Sequence, residues 1–199
     1  AEPVALPARR RRQSESWYLY WGFGFASNAY PEKLQAFTDQ SRLSDNGMSA
    51  GTFGCYIPFW DDKTLIGLSF FNSTSSYVFD DDGRSTSVDT SLSLMSVSVL
   101  RWLSVEAGGR GLFVRADAGF SGFFSDYVDY DSVEQRWNYR TIEGGGLGVI
   151  GGVGYSFPTP SGGTSFIIET TFAMHAIGTP YEPFTGGYAT WAVSIAALW

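Results

Sequence analysis

The residues best suited to chemistry are Arg115, Asp117, Glu169 and His175. Arg115 and Asp117 stand two apart in GLFVRADAGF, where large apolar and small or charged residues alternate. That period of two belongs to a β-strand, in which residues i and i+2 share a face. Glu169 sits in the same way in TSFIIETTFAMH, and its level on that strand matches Arg115 and Asp117 on theirs. A guanidinium and two carboxylates on one closed face predict a paired lumenal network, because an unpaired buried charge costs several kcal/mol. The same groups would line a polar passage if the interior were open. His175, the sole histidine, faces the same side near the outer end of its strand, with Glu182 in the next loop as the acid to orient it. The reading placed beside this is a satisfied histidine at the rim.

These four residues need a frame of strands. Tyr188 to Trp199 (YATWAVSIAALW) puts Trp191, Val193, Ile195, Ala197 and Trp199 on one face and small or hydroxylated residues on the other. Trp17 to Ala26 repeats the pattern with Trp17, Leu19, Trp21, Phe23 and Phe25. Further strands are expected over 48–59, 64–72, 88–100, 112–124, 144–157 and 164–175. Too many greasy faces result for one core of this size. They fit an outer wall in lipid around a small interior, and a last strand that pairs with the first leaves no edge. The fold class is therefore all-β: a closed antiparallel up-and-down transmembrane barrel of about eight strands, spanning 17–199.

Composition agrees. Aromatics make up 17% of the 199 residues, there are 24 glycines, and charged residues are only 17%. Mean hydropathy is -0.06, as expected where half of each strand is apolar. No apolar run approaches the roughly 20 residues of a spanning helix. The net charge of -7 argues against a nucleic-acid partner. A single cysteine, Cys55, rules out an intrachain disulfide and a cysteine metal cluster, and it reads as a small lipid-facing residue. Asp80, Asp81 and Asp82 lack the alternate spacing and closing Glu of a calcium loop, so no metal and no cofactor is expected.

The connections are read as alternately long (27–47, 73–86, 125–141, 176–187) and short. Within the first, YPEKLQAF suggests a helical turn opened by Pro31. In the fourth strand Leu92 and Leu94 fall out of phase with Met95, Val97 and Val99, and a β-bulge near Met95 would restore one face. Trp17, Trp60, Trp102 and Trp199 are assigned to an interfacial girdle. Residues 1–16 read as a flexible basic periplasmic tail in which Arg9, Arg10, Arg11 and Arg12 meet water or an anionic surface. AEPVALPA resembles a mature end left after signal-peptide removal.

This strand rhythm, with GLFVRADAGF, GGGLGVIGGVGYSF and the terminal aromatic, resembles the eight-stranded outer-membrane barrels of the OmpA/OmpX kind. The resemblance covers 17–199. It implies a bacterial outer-membrane location with loops extracellular and both termini periplasmic. It also implies contact with outer-membrane lipids and lipopolysaccharide, and reading of the last strand by the barrel-assembly machinery. Activity is less constrained. Lipid-A deacylases of the PagL family, also of this strand number, use a His-x-Ser pair near His175. Here the motif reads His175-Ala176-Ile177, so the serine is missing. The function expected is a non-enzymatic envelope component, structural or partner-binding through its loops or outer wall. The alternatives are a PagL-like enzyme centred on His175 and a narrow channel.

Overall fold

The computed structural model describes residues 17–32, 35, 43–81, 84–103, 110–131, 136–159, 163–180 and 184–199. Among them run eight strands: β1 (Tyr18–Ala29), β2 (Leu43–Phe59), β3 (Asp61–Asp81), β4 (Arg84–Trp102), β5 (Gly111–Asp131), β6 (Arg136–Pro158), β7 (Ser165–Gly178) and β8 (Gly186–Leu198). Each is antiparallel to the next, and β8 returns to β1, so the sheet closes into a barrel. The last rung is made by Leu19 and Trp199, whose amides and carbonyls exchange bonds of 2.7 and 3.0 Å. The seam leaves no open edge where lipid must be met.

Burial alternates along every strand, with the usual sense inverted. Phe23, Leu68, Val97, Phe120, Leu147, Ile168 and Ile195 are exposed, Phe120 at 71% and Phe25 at 82%. Soluble proteins rarely expose an apolar patch beyond a few hundred Å². A continuous belt of this kind belongs in hydrocarbon, and the molecule is a transmembrane barrel. Trp191 shows how polar atoms are handled there: its Nε1 donates to Thr170 Oγ1 at 2.9 Å on the same outer face. Cys55 lies in the belt, exposed.

Three features differ from the sequence reading. The fourth strand has no bulge near Met95, since its registers with β3 and β5 run unbroken. Leu92 and Leu94 are fully buried inside the barrel, while Met95 and Val97 face out. A large apolar side chain belongs on either face once the interior itself contains apolar layers. The bulges are in β2, between Asp45 and Gly47 and between Pro58 and Phe59.

Residues 73–81, 84–86, 125–131 and 136–141 are paired strand rather than loop. β3 and β4 stay in register to Asp81 and Arg84, and β5 and β6 to Asp131 and Arg136. Crossing a membrane takes about 9–11 strand residues, whereas β5 has 21 and β6 has 23. The surplus projects from the end opposite the termini, the far end. There β1 and β2 part after Gly24 and Ala50, β4 and β5 after Thr90 and Ser125, and β6 and β7 after Gly145 and Gly178. The projecting strands form two separate sheets, β2–β3–β4 and β5–β6. Water satisfies open edges beyond the hydrocarbon, so closure is not required there.

Trp102 is the third correction. It is 2% exposed and stacks against Phe113 inside the barrel, with ring centroids 5.5 Å apart. Trp17, Trp60 and Trp199 are exposed at the terminal end. Trp60 forms the β2–β3 turn by itself, at a left-handed φ of 68°. Gln35 N donates to Pro31 O at 2.8 Å, one helical turn after β1. Residues 1–16, Asp82 and Glu182 lie outside the described residues.

Candidate functional site: a layered lumen

Inward residues fill the barrel in layers that follow one another along the strands. Nearest the termini is an apolar layer of Tyr20, Tyr56, Leu65, Leu100, Trp102, Phe113, Ile167, Ala196 and Leu198. One step further come Arg115, Asp117 and Glu169 with a ring of hydroxyls. Above them lies a second apolar layer: Ala26, Ala50, Phe71, Leu94, Ile150, Ala173 and Ala192. A neutral polar layer follows, with Asn28, Ser73, Ser75, Ser121, His175 and Thr190. A third apolar layer, with Leu92, Phe123, Ile142, Ile177, Phe184 and Tyr188, lies toward the far end. The periodicity is plain on β7, where Ile167, Glu169, Ala173, His175 and Ile177 visit the five layers in turn.

The ionic layer is fully buried. Arg115 Nη2 lies 2.7 Å from Asp117 Oδ2, and Nη1 lies 3.2 Å from Glu169 Oε1. Nε donates to both Asp117 oxygens at 3.1 Å, and Nη1 also reaches Thr52 Oγ1 at 3.3 Å. Ser69 and Ser98 donate to Asp117 at 2.9 and 2.5 Å, and Tyr56 OH donates to Ser98 Oγ at 3.0 Å. The guanidinium carbon lies 5.5 Å from the centre of the Tyr20 ring, a cation–π distance. Such multiple, charge-assisted bonds are what a buried ion pair needs to offset desolvation.

Arg115 and Asp117 neighbour each other along β5, whereas Glu169 stands two strands away on β7. β6 lies between with Gly152 opposite Arg115 and Gly154 opposite Glu169. A Cβ on Gly154 would stand 2.5 Å from the Phe113 ring and 2.8 Å from Glu169 Cβ. The glycine run is thus the space through which the charges meet. Among the described residues, Glu169 Oε2 and Tyr20 OH are buried without a hydrogen-bond partner.

The neutral layer has two nodes. Asn28 accepts from Ser73 Oγ at 2.9 Å and Thr190 Oγ1 at 2.6 Å, and donates to Ser75 Oγ at 2.9 Å. It ties β8 and β1 to β3 at the level where β2 has left β1. The other node joins His175 Nδ1 to Ser121 Oγ at 2.8 Å. Ser121 is the hydroxyl that reading the sequence did not bring to His175. Its inward face was legible from alternation, but its position depends on register across two strand pairs. A Cβ on Gly148, between the two, would collide with Ser121 Oγ.

A serine beside a histidine has the elements of a nucleophile and its base. Access is what it lacks. His175 is 2% exposed, one layer below the rim rather than at it, with Ile177, Phe123 and Tyr188 in the layer above. Among the described residues its Nε2 has no partner, so none of their carboxylates orients the ring. Among the described residues, no group of three or more His, Cys, Asp or Glu is placed to hold a metal ion.

No family model and no curated protein matches the sequence. Solved structures match by shape. Ail, the attachment invasion locus protein of Yersinia pestis, solved with the heparin analogue sucrose octasulfate, overlays with a TM-score of 0.56 at 10% identity, covering 93% of this chain and all of that one. The N-terminal barrel domain of Pseudomonas aeruginosa OprF (TM-score 0.42, 11% identity, 94% and 100% covered) and Neisserial surface protein A (0.44, 13%, 92% and 96%) are less similar. With its strand order, its closure and its outward apolar belt, the chain has the fold of the eight-stranded outer-membrane barrels of the OmpA/OmpX kind.

Proposed function

We propose that the protein is a bacterial outer-membrane barrel without enzymatic or pore activity, and that it acts as a structural or partner-binding envelope component through its projecting strands or outer wall. The observation that carries this is the lumen. An apolar layer at each end and a third in the middle enclose both polar layers. A solute would have to cross three apolar layers, and an acyl ester would have to pass the outermost to reach Ser121. The wall and the projecting strands are what remain for contact.

In this reading the far end is extracellular, the termini are periplasmic, and lipopolysaccharide and other outer-membrane lipids surround the belt. The barrel-assembly machinery would insert the chain, reading β8. The tail with Arg9 to Arg12 would lie in the periplasm. Three measurements test the reading together. Planar bilayers holding the protein are expected to stay silent across salts and voltages. Lipid A from cells with and without the protein, and with His175→Ala, is expected to show one acyl pattern by mass spectrometry. A component co-purifying in mild detergent is expected to be lost when β5 and β6 are shortened to the Ser125–Ile142 rung. Steady unitary currents or an altered acyl pattern would overturn the proposal.

A further inference from the structure

We infer that the β3–β4 face of the outer wall holds a locally thinned bilayer, drawing the ester-carbonyl zone of the far-side leaflet down to Asn72 and Ser93. This rests on the membrane reading above and names the lipid zone that one face of the wall meets. The lumenal layers serve as a ruler of height. The terminal and middle apolar layers stand six residues apart on β3, at Leu65 and Phe71, and on β7, at Ile167 and Ala173. Outward residues one step beyond these are at matched heights on the two strands. Beyond the middle layer β7 has Met174, exposed, where β3 has Asn72. Beyond the terminal layer β7 has Phe166, exposed, where β3 has Thr64. The far-side difference runs around the barrel: the residue just above the middle layer is Ser27, Ser49, Asn72 and Ser93 on β1 to β4, but Val149, Met174 and Trp191 on β6 to β8.

On β3–β4 the apolar wall is the three rungs Ile66–Val99, Leu68–Val97 and Phe70–Met95, bounded by Thr64–Arg101 and Asn72–Ser93. Arg101 and Ser93 are eight residues apart, about 27 Å of strand and, at a tilt of about 40°, roughly 20 Å of height. The apolar band of such barrels is about 25 Å tall, and here both limits are polar. A rigid tilt moves both limits of a face in one direction. On this face both move inward, so the bilayer itself has to thin. Both limits are built as polar groups. Ser91 Oγ donates to Asn72 Oδ1 at 2.8 Å, and Asn72 Nδ2 donates to Thr74 Oγ1 at 3.1 Å. An amide and its hydroxyls have more donors and acceptors than these bonds use, and hydrocarbon offers them none. The patch is uncharged, so ester carbonyls and the water among them suit it. At the near limit Arg101 Nη1 donates to Thr64 Oγ1 at 3.2 Å and Nη2 lies 3.9 Å from Asp61 Oδ2, which holds the guanidinium toward the headgroups.

The test uses the full chain in phosphatidylcholine vesicles at high lipid excess. Cys55→Ala removes the one native thiol. Ser93→Cys or Met174→Cys then carries a polarity-sensitive fluorophore just above the middle layer, on the thin face or opposite it. Quenching by iodide, present on both sides of the membrane, is expected to be about threefold or more stronger at Ser93 than at Met174. A label at Arg101→Cys is expected to stay open to iodide as well. Asn72→Leu with Thr74→Val, added to the Ser93 variant, is expected to bring its quenching down to the Met174 level. Each variant is verified as a closed barrel by its heat-modifiable gel mobility. The inference is overturned if Ser93 and Met174 are equally shielded, the outcome expected where a second copy or another protein covers the face. It is equally overturned if Arg101 is shielded, which a tilted barrel produces, or if the apolar double variant leaves Ser93 as open as before. These failures would leave a co-purifying component, and with it the partner-binding reading, standing.

Discussion

The two polar layers of the lumen solve one problem in different ways. The layer around Arg115 is ionic, and all three guanidinium nitrogens are bonded to Asp117, Glu169 or nearby hydroxyls. The layer around Asn28 and His175 is neutral, held by single bonds among hydroxyls, an amide and an imidazole. Each is enclosed between apolar layers. Removing a partner from the ionic layer strands a charge in low dielectric, whereas a loss from the neutral layer strands only a dipole. The ionic layer should therefore dominate the stability of the folded barrel, and the neutral layer should tolerate exchange.

The sharpest way to break that contrast is Arg115→Leu. It leaves Asp117 and Glu169 buried without their cation and should cost about 3–5 kcal/mol in urea unfolding from lipid vesicles. A cost below that of the neutral-layer variants would reverse the ranking. Gly148→Ala comes next, at about 2 kcal/mol, because the new methyl has to displace Ser121 Oγ. Asn28→Ala should cost about 1–2 kcal/mol by orphaning Ser73, Ser75 and Thr190. Ser121→Ala is the mildest, at about 1 kcal/mol. Combined with Gly148→Ala it should recover part of that variant's loss, since the two sites share one space. Strict additivity would show that the glycine is not there to admit the serine.

How much of this was legible in the sequence divides along the same lines. Alternation gave the lumenal face of Arg115, Asp117, Glu169 and His175, because the outward positions beside them, Val114, Ala116, Ala118, Ile168 and Met174 among them, are mostly apolar. It failed for Leu92, Leu94 and Trp102, which are apolar and yet inside: size and greasiness do not name a side once the interior is layered. β4 was hardest, since its serines stand on both faces, Ser91 and Ser93 out, Ser96 and Ser98 in. The projecting strands were missed for another reason. Beyond the hydrocarbon neither face need be apolar, so residues 80–81, 84–89, 126–131 and 136–139 carry turn-like composition while their backbones pair. The Ser121–His175 contact is a matter of register, which single-strand patterns do not contain.

The stacking of layers also bears on how strands find their alignment. Sliding one strand past its neighbour by two residues keeps every outward side chain outside and every inward one inside, so the bilayer has no means of noticing the error. The interior does notice. Such a slip between β7 and β8 would carry Glu169 from Ser194 to Ala192 or Ala196 and set an ionised group against methyls. In this barrel the contents of the bore, rather than the coat, act as the key that fits only one stagger.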